Sequence, residues 1–180
     1  TEVDDQQVQL NQFSIFYPEK RQFFLDNQEF FRISTGSWNR TFDMFFSRRI
    51  GLSDEKIIPI IGGLNYFESI GSNQFGIINM ITDELDTEPV TNYNILRYKK
   101  TFGKKRNIGF MMTNKDNLNK YHKSTNRVIA LDGQYKLNKY LEFNGFLVNS
   151  FGSSQLIKNS SSYIRGLHRT DSTYSWLSHN

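Results

Sequence analysis

The residues best suited to binding chemistry form a short charged run, Glu19-Lys20-Arg21, directly after Pro18. An arginine guanidinium is a planar fork of donors that fits a carboxylate or a phosphate. Together with Arg48 and Arg49, this run could form an inward-facing cluster that binds an anionic or sugar group. The alternative is a structural turn whose charges pair with one another across neighbouring strands. The run mixes both signs of charge and needs no ligand to be satisfied, which favours the structural interpretation.

Acid–base catalysis would need a pair of carboxylates. Hydrolysis of a glycosidic bond, for example, uses two carboxyl groups about 5–10 Å apart beside a sugar-binding cleft. Asp83, Glu84 and Asp86 lie in an acidic, loop-like stretch, where solvated charge is the ordinary explanation. Asp132 and Glu142 lie on the two strands of a predicted hairpin, where they are more simply the polar lining of a sheet. We therefore predict no catalytic residue.

Other chemistries lack the residues that they require. The chain has no cysteine, and His122, His168 and His179 are far apart in the sequence, so we predict no metal site. Neither a glycine-rich phosphate loop nor a Gly-x-Ser-x-Gly motif occurs, and we predict no cofactor. The net charge of +4 is spread along the chain without a basic stripe, which argues against a nucleic-acid partner.

The elements that position these side chains are predicted to be β-strands. Aromatic residues make up 15% of the chain and alanine occurs only at Ala130, a composition that favours strands over helices. Segments of about ten residues alternate in polarity and are separated by clusters of Gly, Asn, Asp and Ser. The predicted strands are 8–16, 23–33, 41–50, 63–70, 74–82, 93–102, 107–113, 126–137, 140–150, 162–168 and 173–177.

Two all-β architectures fit this alternation. In the predicted strand at 140–150, Leu141, Phe143 and Leu147 lie on one face, and Glu142 and Asn144 lie on the other. A soluble β-sandwich buries its apolar faces, whereas a membrane barrel turns them to lipid and keeps a polar lumen. Periodicity alone does not say which way the faces point.

Three observations favour the barrel. The predicted strands run near the roughly 9–11 residues that cross a bilayer with tilt, whereas soluble strands peak at about 5–6. Aromatic pairs such as Phe23-Phe24 and Phe30-Phe31 crowd the strand ends, as an interfacial girdle would. Short turns alternate with longer polar loops. We therefore predict an all-β, antiparallel up-and-down meander that is part of an outer-membrane-type β-barrel, with a soluble β-sandwich as the alternative.

Three segments carry a resemblance to a known family. The run Phe16-Tyr17-Pro18-Glu19-Lys20-Arg21-Gln22-Phe23-Phe24-Leu25 resembles the signature of a Gram-negative outer-membrane family, the domain of unknown function 5916. The run Phe45-Phe46-Ser47-Arg48-Arg49-Ile50-Gly51 resembles a second segment of that family. The run Pro59-Ile60-Ile61-Gly62-Gly63-Leu64 resembles the turn before the family's next strand. The resemblance covers residues 3–150.

In that family, a barrel-like region follows a carbohydrate-binding family 9-type module. The resemblance implies that residues 1–180 are one domain, the N-terminal part of a larger barrel, located in the cell outer membrane with lipid and carbohydrate as its partners. It implies a role in carbohydrate binding, handling or transport without catalysis by this region. Because some family members are labelled membrane-associated hydrolases, a glycan hydrolase of unassigned mechanism is one alternative, and a soluble β-sandwich binding domain is another.

Overall fold

The computed structural model of the chain describes residues 19–37, 40–42, 47, 50–53, 56–86, 88–103, 106–118, 124–138, 140–152, 158–169 and 174–179. Two short helical turns come first, and most of the remaining residues belong to antiparallel strands. The turns are α1 (Gln22–Leu25) and a 3₁₀ turn (Gln28–Phe31), and the strands are β1 (Ile33–Ser37), β2 (Arg40–Phe42), β3 (Leu52–Ser53), β4 (Lys56–Ile57), β5 (Ile60–Ile70), β6 (Asn73–Thr82), β7 (Thr91–Thr101), β8 (Arg106–Asn117), β9 (Thr125–Lys136), β10 (Leu141–Gly152), β11 (Lys158–Arg169) and β12 (Tyr174–His179).

Eight strands form one antiparallel sheet in which each strand pairs with the next along the chain, from β5 to β12. The pairs β1–β2 and β3–β4 form two separate ladders. The long ladders run without interruption, as between β7 and β8, which pair from Thr91 with Asn117 to Thr101 with Asn107. The predicted antiparallel meander is therefore confirmed. Among the described strands, β5 and β12 are the two edges of the sheet and do not pair with each other, so this sheet is open.

The hairpins follow from their turn residues. Gly71 and Gly103 lie in the connections β5–β6 and β7–β8, each with a φ of +60°, which glycine adopts without the steric cost of a Cβ. These connections and residues 137–140 lie at one end of the sheet, which we call the turn end. The longer connections 83–90 and 118–124 lie at the other end, the loop end. The predicted alternation of short turns and longer loops is thus confirmed.

The predicted strand at 23–33 is wrong, because α1 and the 3₁₀ turn occupy most of it. Asn27 adopts a left-handed conformation with a φ of 59°, which interrupts an extended backbone between the two turns. The interpretation of its two aromatic pairs as an interfacial girdle is also wrong. Phe24 and Phe31 are only 3% and 4% exposed and belong to the hydrophobic core. The predicted strand at 8–16 lies outside the described residues.

Residues 19–33, which we call the N-terminal segment, pack against one face of the sheet. The Asn65 amide on β5 donates a hydrogen bond to the Phe23 carbonyl at 2.6 Å. The rings of Phe30 and Phe31 lie against β6 at Gly76, where a Cβ would be 2.6 Å from both. Burial of one phenylalanine contributes roughly 1.5–3 kcal/mol, so these rings are a main source of the segment's attachment.

The two faces of the sheet differ sharply. The inner face, which the N-terminal segment covers, carries the buried side chains of Ile78, Ile95, Met111, Ala130 and Val148. The opposite face, which we call the apolar face, presents large hydrophobic side chains that are more than two-fifths exposed. They are Leu64, Tyr66, Ile70, Phe75, Ile77, Leu96, Ile108, Leu131, Tyr135, Phe143, Leu147 and Phe151.

Candidate functional site

The predicted binding residues Glu19 and Arg21 pair with each other. Arg21 Nε and Nη2 donate to the two carboxylate oxygens of Glu19, both at 2.9 Å. The same guanidinium donates to the carbonyls of Ile50 and Ser47, both at 2.8 Å. The Ser47 hydroxyl donates to Glu19 Oε2 at 2.6 Å. One arginine therefore ties the start of the N-terminal segment to residues 47 and 50.

This cluster keeps the Glu19 carboxylate charged down to low pH. Burial alone would raise the pKa of Glu19. The hydrogen bonds from Arg21 and Ser47, together with the positive charge of Arg21, outweigh burial and lower the pKa from 4.5 to about 2. The negative charge that balances Arg21 is therefore a part of the fold and is present at neutral pH.

Only part of the predicted binding cluster is brought together. Glu19 and Arg21 are in direct contact, and Lys20 lies exposed beside them. Arg48 and Arg49 lie outside the described residues. Because all three nitrogens of the Arg21 guanidinium donate to groups of this chain, the geometry fits the structural interpretation of the charged run. Ligand binding by these residues stays a prediction.

The Glu19 cluster predicts a loss of stability in acid. A carboxylate whose pKa is lowered by folding stabilises the folded chain above its unfolded pKa and loses that contribution as the pH falls towards its folded pKa. From pH 4.5 to 2, the pKa values above correspond to a loss on the order of 3 kcal/mol. Denaturant unfolding across this range should show a larger loss of stability in the parent chain than in Glu19→Gln, and the difference is the contribution of Glu19.

A matched control for this measurement is Glu29→Gln. Glu29 also pairs with an arginine, Arg32 at 3.1 Å, but its side chain is 83% exposed. An exposed pair contributes little, so this variant should lose stability in acid as the parent chain does. If Glu19→Gln also follows the parent curve, the low pKa of Glu19 is contradicted.

The inner face holds a buried ion pair that links β7 to β9. The Arg97 guanidinium donates through Nη1 and Nη2 to the two carboxylate oxygens of Asp132, and the Nη2–Oδ2 distance is 2.9 Å. The Arg97 side chain is 1% exposed and that of Asp132 is 9% exposed. Arg97 Nε also donates to the Phe30 carbonyl at 3.3 Å. The pair therefore joins the sheet to the N-terminal segment.

The ion pair passes over β8, which lies between β7 and β9 in the sheet. Gly109 on β8 leaves the space that the pair occupies. A Cβ at position 109 would lie 2.5 Å from Asp132 Oδ1 and 2.8 Å from both terminal nitrogens of Arg97. Real Cβ atoms do not approach other atoms this closely, so the side chains of the ion pair would have to shift if position 109 carried a Cβ.

Replacing Gly109 with alanine should therefore lower the free energy of unfolding by roughly 1–3 kcal/mol, the usual cost of overpacking. The matched control is Gly62→Ala on β5, where a Cβ would meet nothing within 4 Å. Denaturant midpoints of the two variants give the comparison. Equal midpoints would mean that the ion pair does not fill the space above Gly109.

Sequence reasoning considered Asp132 as a carboxylate and missed its partner, Arg97. The signal lies in the register of the three strands β7, β8 and β9. In that register Asp132 stands opposite Gly109, and Arg97 stands opposite Met111, one side-chain step further along the inner face of β8. An arginine, a glycine and an aspartate on neighbouring strands indicate a bridged pair once the strands are aligned.

A row of amides lies on the inner face towards the turn end. Asn107, Gln134 and Asn144 occupy paired positions on β8, β9 and β10. Asn107 Nδ2 donates to Gln134 Oε1 at 3.2 Å, and Gln134 Nε2 donates to Glu142 Oε1 at 2.7 Å. Asn144 is 4% exposed, and neither of its side-chain polar atoms has a partner within the described part of the chain. Such a row has the donors and acceptors that hydroxyl groups require.

The carboxylates do not form an acid–base pair. Asp132 stands opposite Phe146, and Glu142 lies four residues further along β10, which places it about 13 Å from Asp132 along the strand. Glycosidase chemistry needs a shorter separation, about 5–10 Å. Asp83, Glu84 and Asp86 are exposed in the loop after β6. Within the described ranges, no group of three or more His, Cys, Asp or Glu residues could hold a metal ion.

The fold and this site define an antiparallel all-β sheet whose inner face combines a hydrophobic core with a buried ion pair and a row of amides, and whose opposite face is exposed and largely apolar. Comparison with protein-family models, curated proteins and solved structures found no match to this chain. The family resemblance therefore stays a prediction. In the part of the chain that the structure describes, no helix is both long and apolar enough to cross a membrane.

Proposed function

We propose that this sheet is part of the wall of an outer-membrane-type β-barrel. Its apolar face contacts lipid, and its inner face, with the N-terminal segment, lies towards the barrel interior. The observation that carries the proposal is the exposed apolar face, which has at least one large hydrophobic side chain on every strand from β5 to β10.

That face is built from hydrophobic pairs on neighbouring strands. Leu131 and Leu147 stand opposite each other and are 49% and 53% exposed. Ile77 pairs in the same way with Leu96 on the next strand. Each Å² of apolar surface left in water costs about 25 cal/mol, and soluble monomers rarely expose patches beyond a few hundred Å². A hydrocarbon environment removes this cost.

Strand length and the composition of the inner face support the same proposal. The strands β5 to β11 contain 10–12 residues each, and a tilted membrane strand needs about 9–11. Barrel interiors are polar, and the inner face carries, besides its buried hydrophobic core, the Arg97–Asp132 pair and the amide row at 107, 134 and 144. Polar groups of this kind would be costly on a lipid-facing surface.

A soluble β-sandwich, with a second sheet over the apolar face, is the alternative. On β10 the uninterrupted apolar run on this face extends from Leu141 to Leu147, about 20 Å at 3.3 Å per residue, and ends before Asn149. On β7 only Leu96 and Tyr98 lie between Asn94 and Lys100 on this face. The narrow apolar stretch on β7 favours the sandwich, whereas the wider apolar run on β10 favours the barrel.

We further infer a non-catalytic role in carbohydrate binding, handling or transport at the cell outer membrane. This part of the proposal rests on the family resemblance. In the amide row, the partly exposed side chains of Asn107 and Gln134 supply groups that can bind hydroxyls. The absence of an acid–base pair among the described carboxylates supports a region that does not cleave its ligand.

Vesicle flotation tests the barrel proposal. The chain is diluted from urea into phospholipid vesicles and centrifuged through a density gradient. We expect it to float with the vesicles and to remain with them after an alkaline carbonate wash. A chain that stays at the bottom of the gradient as a folded soluble monomer would contradict the barrel and support the sandwich.

A further inference from the structure

A groove of about 640 Å³ opens on the apolar face near the turn end of β8, β9 and β10. It is lined by Phe102 and by residues 106–108, 133–135 and 143–145. At its centre, Gly133 pairs with Gly145 on one side and with Ile108 on the other. Two neighbouring glycines place no side chain on this face, so the sheet backbone forms the floor. Tyr135 and Phe143, which pair with each other, stand beside the two glycines.

Two cations lie at the mouth of this groove on aromatic rings. The Arg106 guanidinium carbon is 5.0 Å from the centre of the Tyr135 ring, and Arg106 Nε donates to the Lys136 carbonyl at 3.1 Å. Across the described residues, no hydrogen bond occupies the two terminal nitrogens of Arg106. Lys100 pairs with Ile108 in the ladder, and its Nζ is 5.4 Å from the Phe102 ring. Both cations can therefore accept an anionic ligand.

The surrounding sequence has the same sign of charge. Among the described residues at the turn end of β7 to β10, the basic side chains on the apolar face are Lys100 and Arg106, whereas Lys99 and Lys136 have the register of the inner face. The acidic residue there, Glu142, belongs to the inner face and accepts a hydrogen bond from Gln134. The loop end differs, since the connection after β6 carries four acidic residues within 83–88. Among the described residues at the turn end of β7 to β10, the charged side chains on the apolar face are thus the two cations of the groove.

We propose that this groove holds an acyl chain of an anionic phospholipid whose phosphate is bound by Arg106 and Lys100. This inference rests on the proposed membrane location of the apolar face. The apolar walls fit a hydrocarbon chain, and a guanidinium whose two terminal nitrogens have no hydrogen-bond partner among the described residues fits a phosphate oxygen pair. Lysine and arginine at the end of a membrane segment also reach the headgroup region with their charged ends.

Acyl-chain quenching at a unique label tests the proposal. The chain has no cysteine, so Leu131→Cys, next to the groove on the apolar face, accepts a single bimane fluorophore. The labelled chain is inserted into vesicles that contain either brominated phosphatidylglycerol or brominated phosphatidylcholine at equal mole fraction. We expect about a fivefold preference for the anionic lipid at the label, the factor expected from one well-placed cation near a lipid surface.

Three variants decide the result. Arg106→Gln should abolish the preference, and Arg127→Gln, which removes an exposed arginine on the same face towards the loop end, should retain it. Gly133→Val fills the groove floor, where its Cβ would be 3.4 Å from the Asn107 carbonyl, and should also abolish the preference. If either Gly133→Val or Arg106→Gln retains the preference for the anionic lipid, the proposed phospholipid site in the groove is wrong.

The parent chain separates this proposal from the barrel. Equal quenching by both lipids would contradict the phospholipid site and leave the barrel proposal intact. No quenching by either lipid would contradict both.

Discussion

Replacing Arg97 with leucine should lower the free energy of unfolding by about 3–5 kcal/mol. The change leaves the Asp132 carboxylate on the inner face without its partner, and an uncompensated buried charge has a cost of this size. It also removes the hydrogen bond from Arg97 Nε to the Phe30 carbonyl, so the N-terminal segment should loosen from the sheet. Unfolding of the parent chain and of the variant in guanidinium chloride measures the change in the free energy of unfolding.

The matched control removes both charges. In Arg97→Leu/Asp132→Leu no unpaired carboxylate remains, and replacement of a whole buried pair by apolar side chains is often neutral or stabilising. We expect the double variant to be clearly more stable than Arg97→Leu alone. A single variant that costs less than about 1 kcal/mol would mean that the pair is solvated, against the 1% and 9% exposure of its side chains.

Replacing Leu147 with arginine should cost about 2–4 kcal/mol in vesicles. Leu147 lies in the middle of β10 on the apolar face, where a barrel strand would cross the bilayer midplane, and a charge on the lipid face costs that much there. If the same face were in water, the change would stay within about 0.5 kcal/mol, because the side chain is 53% exposed. Denaturant unfolding from vesicles gives the difference.

Ile70→Arg is the control for depth. Ile70 is 57% exposed, close to the value for Leu147, but it is the last residue of β5, beside the turn at Gly71. Near the interface the cost of a charge falls to about 0–1 kcal/mol. If arginine lowers the free energy of unfolding equally at positions 70 and 147, the proposal that position 147 lies in the hydrocarbon region and position 70 near the interface is contradicted.

Much of the sheet could be predicted because its signals are local. The predicted strands 126–137 and 140–150 match β9 and β10 to within two residues, since alternation and the intervening Asn138-Lys139 mark both ends. The exposure of Phe143 and Leu147 and the burial of Asn144 on the opposite face follow the same alternation. The alternation predicts which residues share a face. It does not predict whether that face contacts lipid, water or another part of the protein.

The N-terminal segment could not be predicted, because its structure depends on distant residues. Phe30 and Phe31 lie where they do because Gly76, more than forty positions later, has no side chain. Local sequence gave only adjacent aromatic pairs, which suit a strand end as well as a helical turn. The burial of Asn144 could not be predicted either. Alternation places Asn144 on the face that a barrel would turn towards a polar lumen, but its side chain is only 4% exposed. An arginine at position 144 would therefore be a core substitution.

Spin-label accessibility along β10 tests the lipid-facing surface most directly. A nitroxide is attached to a single cysteine at position 143, 147 or 151 on the apolar face, or at Val148 on the inner face, in chains inserted into vesicles. We predict that oxygen, which concentrates in lipid, relaxes the label at position 147 strongly, whereas a water-soluble nickel chelate does not. The label at Val148, which is 8% exposed, should be protected from both agents. A label at position 147 that the chelate relaxes, or that is shielded from both agents, would contradict the barrel account.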